Sequence, residues 1–290
     1  MYRVGIYNEL VVIRDSPHGV YLGSELDIPS EQQVLLPNNQ VPEGCALEDV
    51  IRVFVYTDSE DRPVATCKTP HGVVGDFTGL HCVDTTSSGA FFDWGLDKDL
   101  FVPHALQHDR IVTGSTHVVF IDLDERSNRV LGTTRLSKLF DYDLQALRGG
   151  QEVSLLVYSF NEFGAQVIVD SRYPGIVYRN ATFEALRVGQ RLQGYVGQIR
   201  DDNKVDVTLQ RQGALGLDDS ASAILEKLES VGGFLPLHDK SSPEEIGKLL
   251  KMSKKSFKRG IGSLYKARKI IINDDGVQLI ASGNAPKAGR

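Results

Sequence analysis

The chain has 290 residues, of which 41% are hydrophobic and 24% are charged, a composition typical of a folded protein of about two to four domains. No run of roughly 18 apolar residues occurs, and the first segment, MYRVGIYNELVVIRD, lacks the sections of a signal peptide. We therefore expect a cytoplasmic protein with no membrane partner. The three cysteines form no CxxC pair, which argues against a zinc knuckle or a disulfide framework.

The formal net charge of −6 is unevenly divided along the chain. From residue 214 onward there are 13 Lys and Arg against 9 Asp and Glu, whereas the first 213 residues carry 19 against 29. An acidic part followed by a basic part indicates two kinds of domain with different roles.

Short segments with alternating apolar and polar residues dominate the acidic part. They include VIRVFVYTD (50–58), THVVFIDLD (116–124), VSLLVYS (153–159) and KVDVTLQR (204–211). Gly, Pro, Asn and Asp residues separate these segments, as expected between β-strands. This pattern predicts small β-barrels or sandwiches.

A glycine-containing segment recurs three times and indicates an internal repeat. The copies are HGVYLGS from His18, SGAFFDW from Ser88 and FGAQVIV from Phe163. In each copy a valine near the end follows the motif glycine at a similar distance along the chain. The separation is 45 residues from Gly19 to Val64, and 41 residues both from Gly89 to Val130 and from Gly164 to Val205. These intervals predict three copies of one β module.

The SGAFFDW segment contains two adjacent phenylalanines that a strand would direct to opposite faces. Ala90, Phe92 and Trp94 share one face, whereas Phe91 shares the other with Asp93. Because aspartate is rarely buried, we expect Phe92 and Trp94 in the core and Phe91 exposed. An exposed ring can stack on an unpaired base, which contributes about 1–3 kcal/mol; packing against a neighbouring module is the alternative.

The basic part reads as three helices and a hairpin. The first helix covers 220–228, the second begins after a Ser242 cap, and the third begins after a Ser253 cap. The apolar face of the third helix is expected to hold Phe257, Ile261, Leu264 and Tyr265. The strands KIIIND and VQLI follow as a hairpin. This order predicts a winged helix-turn-helix.

Together these motifs resemble a known bacterial family. The middle copy, VGDFTGLHCVDTTSSGAFFDWGLDKDLFVPHALQ, is similar to the S1 RNA-binding domain, a five-stranded OB-fold barrel. Three such modules followed by GGFLPLHDKSSPEEI and MSKKSFKRGIGSLYK resemble the S1-domain family called virulence factor B. The resemblance implies three tandem S1-like barrels at 1–69, 70–142 and 143–213. A winged helix is implied at 214–283 and a flexible tail at 284–290.

The same resemblance implies an RNA-binding face on the second and third strands, with a basic residue at the end of the fifth strand. The matching residues are His18, Tyr21 and Lys68 in the first module, Phe91 and Arg135 in the second, and Phe163, Tyr178 and Arg211 in the third. No copy has the complete set, since Ser88, Pro103 and Gln166 replace residues of the motif. A supplementary basic patch is expected from Arg129, Arg135, Lys138, Arg187, Arg191 and Arg200.

The third helix of the basic part carries Lys254, Lys255, Lys258 and Arg259 off its apolar face. Cations in a first helical turn are unfavourable with the helix dipole, so a phosphate partner would explain them. Lysine suits contact with the nucleic-acid backbone better than reading of bases. The alternatives are a solvated surface or a docking face for a barrel.

No enzyme, metal or cofactor signature is present. His104 and His108 lie four residues apart without an HExxH glutamate, and Asp97 with Asp99 and Asp201 with Asp202 read as turn acids. The sequence therefore favours a non-catalytic protein that binds single-stranded RNA and affects gene expression after transcription. A DNA-binding transcription regulator acting through the winged helix is the alternative, and an RNA-processing nuclease is a third class.

Overall fold

The computed structural model describes residues 1–179, 185–200, 202–209 and 216–280, with side chains in the last range from residue 220 onward. β-strand is the commonest regular structure of these residues, and α-helices occur only in the last described part. Among the helices of the described residues, none combines the length and the apolar character needed to cross a membrane. The mainly β fold with an α+β tail predicted from the sequence is confirmed.

The first and third modules are closed five-stranded barrels. The first contains β1 (Tyr7–Ser16), β2 (Gly19–Gly23), β3 (Val34–Pro37), β4 (Val50–Thr57) and β5 (Pro63–Thr66). The third contains β11 (Glu152–Phe160), β12 (Gly164–Val169), β13 (Tyr173–Tyr178), β14 (Arg191–Ile199) and β15 (Val205–Thr208). In each barrel the third strand pairs in parallel with the fifth, and all other pairs are antiparallel. This strand order is that of an OB fold.

The middle module has the same five-stranded order but is open along one edge. It contains β6 (Phe77–Thr85), β7 (Gly89–Phe92), β8 (Leu100–Pro103), β9 (Thr116–Asp124) and β10 (Arg129–Thr133). Its sheet runs from β10 to β8. The turn after β8 bridges this gap, because Thr133 Oγ1 and the Thr134 N–H both donate to the Leu106 carbonyl, at 2.9 and 3.0 Å.

A bulge at one point of the first strand shows that the three modules are copies of one unit. The register of the first strand against the second shifts after Val12, Cys82 and Val157. An extra residue bends a strand and increases its twist, which helps the long first strand pair with two neighbours around a barrel. The repeat predicted from the glycine spacing is thus present in the strand pairing itself.

Large aromatic side chains join the barrels to one another. Between the first and second barrels, Phe54 packs edge-on against Trp94, with ring centres 5.5 Å apart. Trp94 Nε1 donates to the Gly72 carbonyl at 2.9 Å, so its polar atom is satisfied within the protein. Between the second and third, Phe140 lies 6.1 Å from Phe77 in a buried cluster that also contains residues of the third barrel. Burial of these rings stabilises the contacts between the barrels.

The tail has its own hydrophobic core, formed entirely by residues of the described range 216–280. Its elements are α1 (Gly216–Ser230), β16 (Phe234–Leu235), α2 (Pro243–Leu250), α3 (Lys254–Lys266), β17 (Ile270–Asn273) and β18 (Gly276–Leu279). The hairpin predicted from the sequence is present as β17 and β18. The short strand β16 was missed, because its two residues give no alternating pattern, and it joins the sheet beside β18. Three helices and this sheet form a winged helix.

The helix caps follow the predicted pattern. Ser242 Oγ accepts from the Glu245 N–H at 3.2 Å, and the Glu245 carboxylate accepts from the Ser242 N–H at 2.8 Å. These main-chain and side-chain hydrogen bonds lower the pKa of Glu245. Ser253 Oγ accepts from the Ser256 N–H at 3.1 Å and begins α3 in the same way.

Tyr265 was expected on the apolar face of α3, and this prediction is wrong, since the side chain is 58% exposed. Eight residues advance a helix by about 80° beyond two full turns, which carries Tyr265 away from Phe257. The core face consists of Phe257, Gly260, Ile261 and Leu264. The end of the third domain at residue 213 and the tail 284–290 lie outside the described residues, and the domain limits stay predictions.

Candidate nucleic-acid interface

The motif glycines allow the second and third strands of each barrel to approach closely. A Cβ atom would lie 2.0 Å from the carbonyl oxygen of Leu36 at Gly19, 2.4 Å from that of Val102 at Gly89, and 2.1 Å from that of Val177 at Gly164. No other residue fits without moving a strand. The repeated glycine therefore sets the geometry of the face that the sequence predicts for binding.

Matching residues lie in one row across the first three strands of each barrel, which we call the platform row. It contains Arg14, Tyr21 and Leu35 in the first barrel, Asp84, Phe91 and Phe101 in the second, and Ser159, Gln166 and Ile176 in the third. Cross-strand neighbours point to the same face of a sheet. The same surface position therefore has a different chemistry in each barrel.

The second barrel presents an aromatic pair in its platform row. Phe92 is fully buried and Trp94 is 3% exposed, as predicted, whereas Phe91 is half-buried instead of exposed. The cause is Phe101, whose ring centre lies 4.9 Å from that of Phe91 with the planes tilted by 35°. The two rings together form a wider apolar surface than one ring alone.

Phe101 was missed as a candidate binding residue. Its signal was available in the segment LFVP, where Phe101 and Pro103 alternate with the buried Leu100 and Val102. The alternation directs Phe101 away from the core, but the partner ring could be identified only from the pairing of β7 with β8.

Arg135 lies just after β10 at the open edge of the second barrel. Its side chain is exposed, yet Nε donates to the Gln107 carbonyl at 2.9 Å. Gln107 is itself buried and donates through Nε2 to the Val102 carbonyl at 2.9 Å. The guanidinium is thereby held in place beside β8, with its charge toward solvent.

The platform row of the first barrel is covered by one of its own side chains. The guanidinium carbon of Arg14 lies 3.6 Å from the centre of the Tyr21 ring, a cation–π contact. Arg14 Nε also donates to Gln33 Oε1 at 3.1 Å. Tyr21 was predicted as an RNA-binding residue, and in this arrangement a base would meet the guanidinium before the ring.

The other predicted residues of the first barrel lie apart from one another. His18 is exposed in the turn between β1 and β2, and its main-chain N–H donates to Ser16 Oγ at 3.3 Å. Lys68 forms an ion pair with Asp97 of the second barrel. Its positive charge is therefore partly neutralised between the two barrels.

The third barrel exposes two phenylalanines at the hairpin between β11 and β12. Phe163, which was predicted, is 59% exposed, and Phe160, which was missed, is 48% exposed. Arg179 lies beside them, since its main-chain N–H donates to the Phe163 carbonyl at 3.1 Å and Nη2 donates to the Asn161 carbonyl at 3.2 Å. Phe160, Phe163 and Arg179 form what we call the hairpin cluster. Phe160 was overlooked because it ends a strand one residue beyond the segment recognised in the sequence.

Tyr178 is adjacent to this cluster, because it pairs with Gly164 across β12 and β13. Its hydroxyl donates to Asp206 Oδ1 at 3.3 Å and accepts from Arg200 Nη1 at 3.2 Å. The ring is half-buried and held in a fixed orientation by these bonds. Arg211, the basic residue predicted for this barrel, lies outside the described residues.

Several cations of the expected basic patch have partners within the protein. Arg129 forms an ion pair with Asp61 of the first barrel, and Arg191 Nη2 donates to the Phe77 carbonyl at 2.6 Å. These two bonds connect neighbouring barrels. Lys138 and Arg187 are exposed, and their part in a patch stays a prediction.

Helix α3 presents basic side chains along one exposed face. Lys255 and Lys258 are exposed, and Tyr265 follows on the same side at helical spacing. Gly262 lies between them with no atom within 4 Å of where its Cβ would be, which leaves room for close approach. Lys254 differs, because its Nζ donates to the Lys240 carbonyl at 3.4 Å and so has a role within the domain. Arg259 is exposed on the neighbouring side.

The part of the chain that the structure describes contains no group of three or more His, Cys, Asp or Glu side chains able to hold a metal ion. The two histidines noted in the sequence have different hydrogen-bond partners. His104 Nε2 lies 3.1 Å from the Thr86 carbonyl oxygen, whereas the main-chain N–H of His108 donates to Thr134 Oγ1 at 2.9 Å. Asp201 lies outside the described residues.

Comparison with protein families identifies two domains. Residues 4–68 match the S1 domain family, and residues 222–279 match the CvfB-like winged helix domain family. Both are domain types of nucleic-acid-binding proteins and are not typically catalytic. The chain is therefore a protein of the nucleic-acid-binding class. The S1 match falls on the first barrel, whereas the segment that most resembles the S1 motif lies in the second barrel.

The relatives of the chain are bacterial proteins of similar length, and they confirm the resemblance to the virulence factor B family. An uncharacterized protein, YitL, of Bacillus subtilis is 29% identical over 83% of each chain. Conserved virulence factor B of Staphylococcus haemolyticus is 25% identical over 88% of each chain. A crystal structure of a multidomain protein with nucleic acid binding domains from Streptococcus pneumoniae covers 96% of this chain and 98% of its own, at 23% identity and a TM-score of 0.45.

Proposed function

We propose that the protein binds single-stranded RNA in the bacterial cytoplasm without catalysing a reaction, and that this binding affects gene expression after transcription. The second and third barrels supply rings on which bases stack. The winged helix supplies contacts to the phosphate backbone through α3.

The observation that carries the proposal is the hairpin cluster of the third barrel. Two phenylalanines at the tip of one hairpin are about half exposed, which is costly in water unless a partner covers them. Arg179 lies beside Phe163 and can contact a phosphate while a base stacks on the ring. Exposed aromatic and cationic side chains together are typical of proteins that bind unpaired nucleic acid.

The charge distribution favours an unpaired partner. The first 213 residues carry ten more acidic than basic side chains, 29 against 19, which opposes binding to the dense phosphates of a duplex. Stacking on bases depends less on charge, and duplex bases are not available for it. We therefore expect the barrels to contribute stacking and the tail to contribute most of the electrostatic attraction.

A DNA-binding transcription regulator is the second candidate. It is favoured by the exposed lysines of α3, Lys255 and Lys258, because a winged helix can insert this helix into the major groove. In that case the barrels would serve as protein-interaction modules.

The test is fluorescence anisotropy of a labelled single-stranded RNA, a single-stranded DNA and a matched DNA duplex against the full chain, across a salt series. We expect the RNA to bind more tightly than the duplex, with a shallow salt dependence. Phe163→Ala should weaken RNA binding, and Lys255→Ala with Lys258→Ala should reduce the salt dependence. Tighter binding of the duplex, lost in the lysine variant and unchanged in Phe163→Ala, would reject the RNA proposal in favour of the transcription regulator.

A further inference from the structure

Asp84 of the second barrel lies beside the aromatic pair and faces solvent. It pairs with Phe91 across β6 and β7, and Phe91 pairs with Phe101 across β7 and β8. The Asp84 carboxylate accepts a hydrogen bond from the next main-chain N–H, that of Thr85, at 2.8 Å. The carboxylate is exposed, and the strand pairing places Asp84 on the same face of the sheet as the two rings.

The first barrel shows how far a side chain at this position reaches. Arg14 occupies the place of Asp84, directly after the bulge of the first strand. Its guanidinium lies 3.6 Å from the centre of the neighbouring Tyr21 ring. Aspartate is shorter than arginine, so a carboxylate at the same point reaches the border of the ring and not its centre. It therefore meets the edge of a base stacked on Phe91 instead of blocking the ring.

The chemistry of the carboxylate selects among bases. An ionised carboxylate only accepts hydrogen bonds, and its two oxygens can accept two parallel N–H donors. The Watson–Crick edge of guanine presents two such donors, N1–H and the N2 amino group. Uracil presents one N–H between two carbonyl oxygens, which the carboxylate repels. Adenine and cytosine each present an amino group next to an acceptor.

We propose that Asp84 gives the second barrel a preference for guanine among bases stacked on Phe91 and Phe101. This inference depends on the proposed function, because it requires that the second barrel stacks on unpaired bases. The other barrels lack the combination, since the platform row has a cation at Arg14 in the first barrel and contains no ring in the third, where Gln166 replaces Phe91. Of the three platform rows, that of the second barrel therefore has both the rings that stack on a base and the carboxylate that discriminates between bases.

Asp122 provides a matched control in the same barrel. Like Asp84, it is an exposed aspartate on a strand, and its Oδ1 accepts from the next main-chain N–H, that of Leu123, at 2.9 Å. It lies on β9, outside the platform row. Asp84→Asn and Asp122→Asn each remove one negative charge without changing the size of the side chain.

The experiment measures binding of the full chain to uridine-rich RNA oligonucleotides that differ at one central base. That base is guanine, adenine, cytosine, uracil or hypoxanthine, which lacks the N2 amino group of guanine. For the unmodified protein we expect the guanine oligonucleotide to bind roughly three- to tenfold more tightly than the uracil one, with hypoxanthine between them. Asp84→Asn should reduce this ratio to less than about twofold. Asp122→Asn should leave the ratio unchanged, although either variant can raise all affinities through charge.

Phe91→Ala separates the failure of this inference from failure of the proposed function. If Phe91→Ala and Phe163→Ala weaken binding but Asp84→Asn leaves the guanine ratio unchanged, the role of Asp84 is rejected and RNA binding stands. The same conclusion applies if the unmodified protein shows no guanine preference. If neither phenylalanine variant weakens binding to any oligonucleotide, stacking by the barrels is rejected and the role of Asp84 with it.

Discussion

Phe54 of the first barrel and Trp94 of the second meet edge to face, with ring centres 5.5 Å apart and planes at 87°. Trp94 is the only tryptophan of the chain, and it is 3% exposed. Its fluorescence therefore reports directly on the contact between these two barrels. Trp94, which the sequence predicted to lie in a core, is buried at the contact between the first and second barrels.

Replacement of Phe54 should disrupt this contact specifically. We expect Phe54→Ala to cost about 3–5 kcal/mol, because a large buried ring is lost and a cavity remains. The emission of Trp94 should move to longer wavelength at a lower urea concentration than in the unmodified protein. Phe77→Ala is the control, since Phe77 is equally large and buried between the second and third barrels. If Trp94 emission moves at a lower urea concentration in both variants, the contact between the first two barrels and the contact between the last two do not break separately.

Gly164→Ala should destabilise the third barrel. The new Cβ would lie 2.1 Å from the Val177 carbonyl oxygen, so β12 and β13 would have to separate. We expect a loss of more than about 1 kcal/mol in the free energy of unfolding. Gly262→Ala is the opposite case, because this glycine of α3 has open space around it, and alanine should stabilise the helix by up to about 1 kcal/mol. The measurement is the thermal unfolding of both variants. If Gly164→Ala is as stable as the unmodified protein, the close approach of β12 and β13 does not require a glycine at position 164.

The hairpin cluster should contribute to RNA affinity. Phe163→Ala and Phe160→Ala should each weaken binding of single-stranded RNA by about 1–3 kcal/mol, if each ring stacks on a base. Phe234→Ala is the control, since Phe234 is also partly exposed but lies on the sheet of the winged helix. Anisotropy titrations at one salt concentration measure all three. Equal effects of the three variants would argue against a role specific to the hairpin.

The lysines of α3 should determine the salt dependence of binding. Each backbone contact changes the slope of log K against log salt by about 0.7–0.9, so Lys255→Ala with Lys258→Ala should reduce the slope by about 1.4–1.8. Arg126→Ala removes an exposed cation from the turn between β9 and β10, and we expect no change in slope. An unchanged slope in the lysine variant would support the alternative that this face is merely solvated or docks on a barrel.

His117 should make the second barrel sensitive to acid. Burial lowers the pKa of His117 below its usual 6.5, and Asp109 opposes this shift. Because the unfolded chain then takes up the proton more readily, stability is complete above about pH 6.5 and falls as the pH decreases toward the folded pKa. His117→Gln should reduce this dependence. The measurement is the melting temperature of both proteins from pH 7.5 to pH 5, where parallel curves would contradict a titrating His117.

The local patterns of the sequence determined the class of fold. Alternation of apolar residues predicted strands such as 50–58 and 116–124, the spacing of Gly89 and Gly164 predicted repeated modules, and Ser242 marked a helix start. These signals depend on neighbours within a few residues, so they can be read along the chain. The strands β4 and β9 and the cap of α2 are present as predicted.

The tertiary structure decided which of the candidate residues can act together. The position of Arg14 over Tyr21, of Phe101 beside Phe91 and of Arg179 beside Phe163 depends on strand register, and a bulge of one residue changes which side chains are neighbours. The sequence identified Phe91 and Phe163 because each lies next to a repeated glycine. It could not identify the ring that half-covers Phe91, nor the cation that covers Tyr21, since both come from a different strand of the barrel.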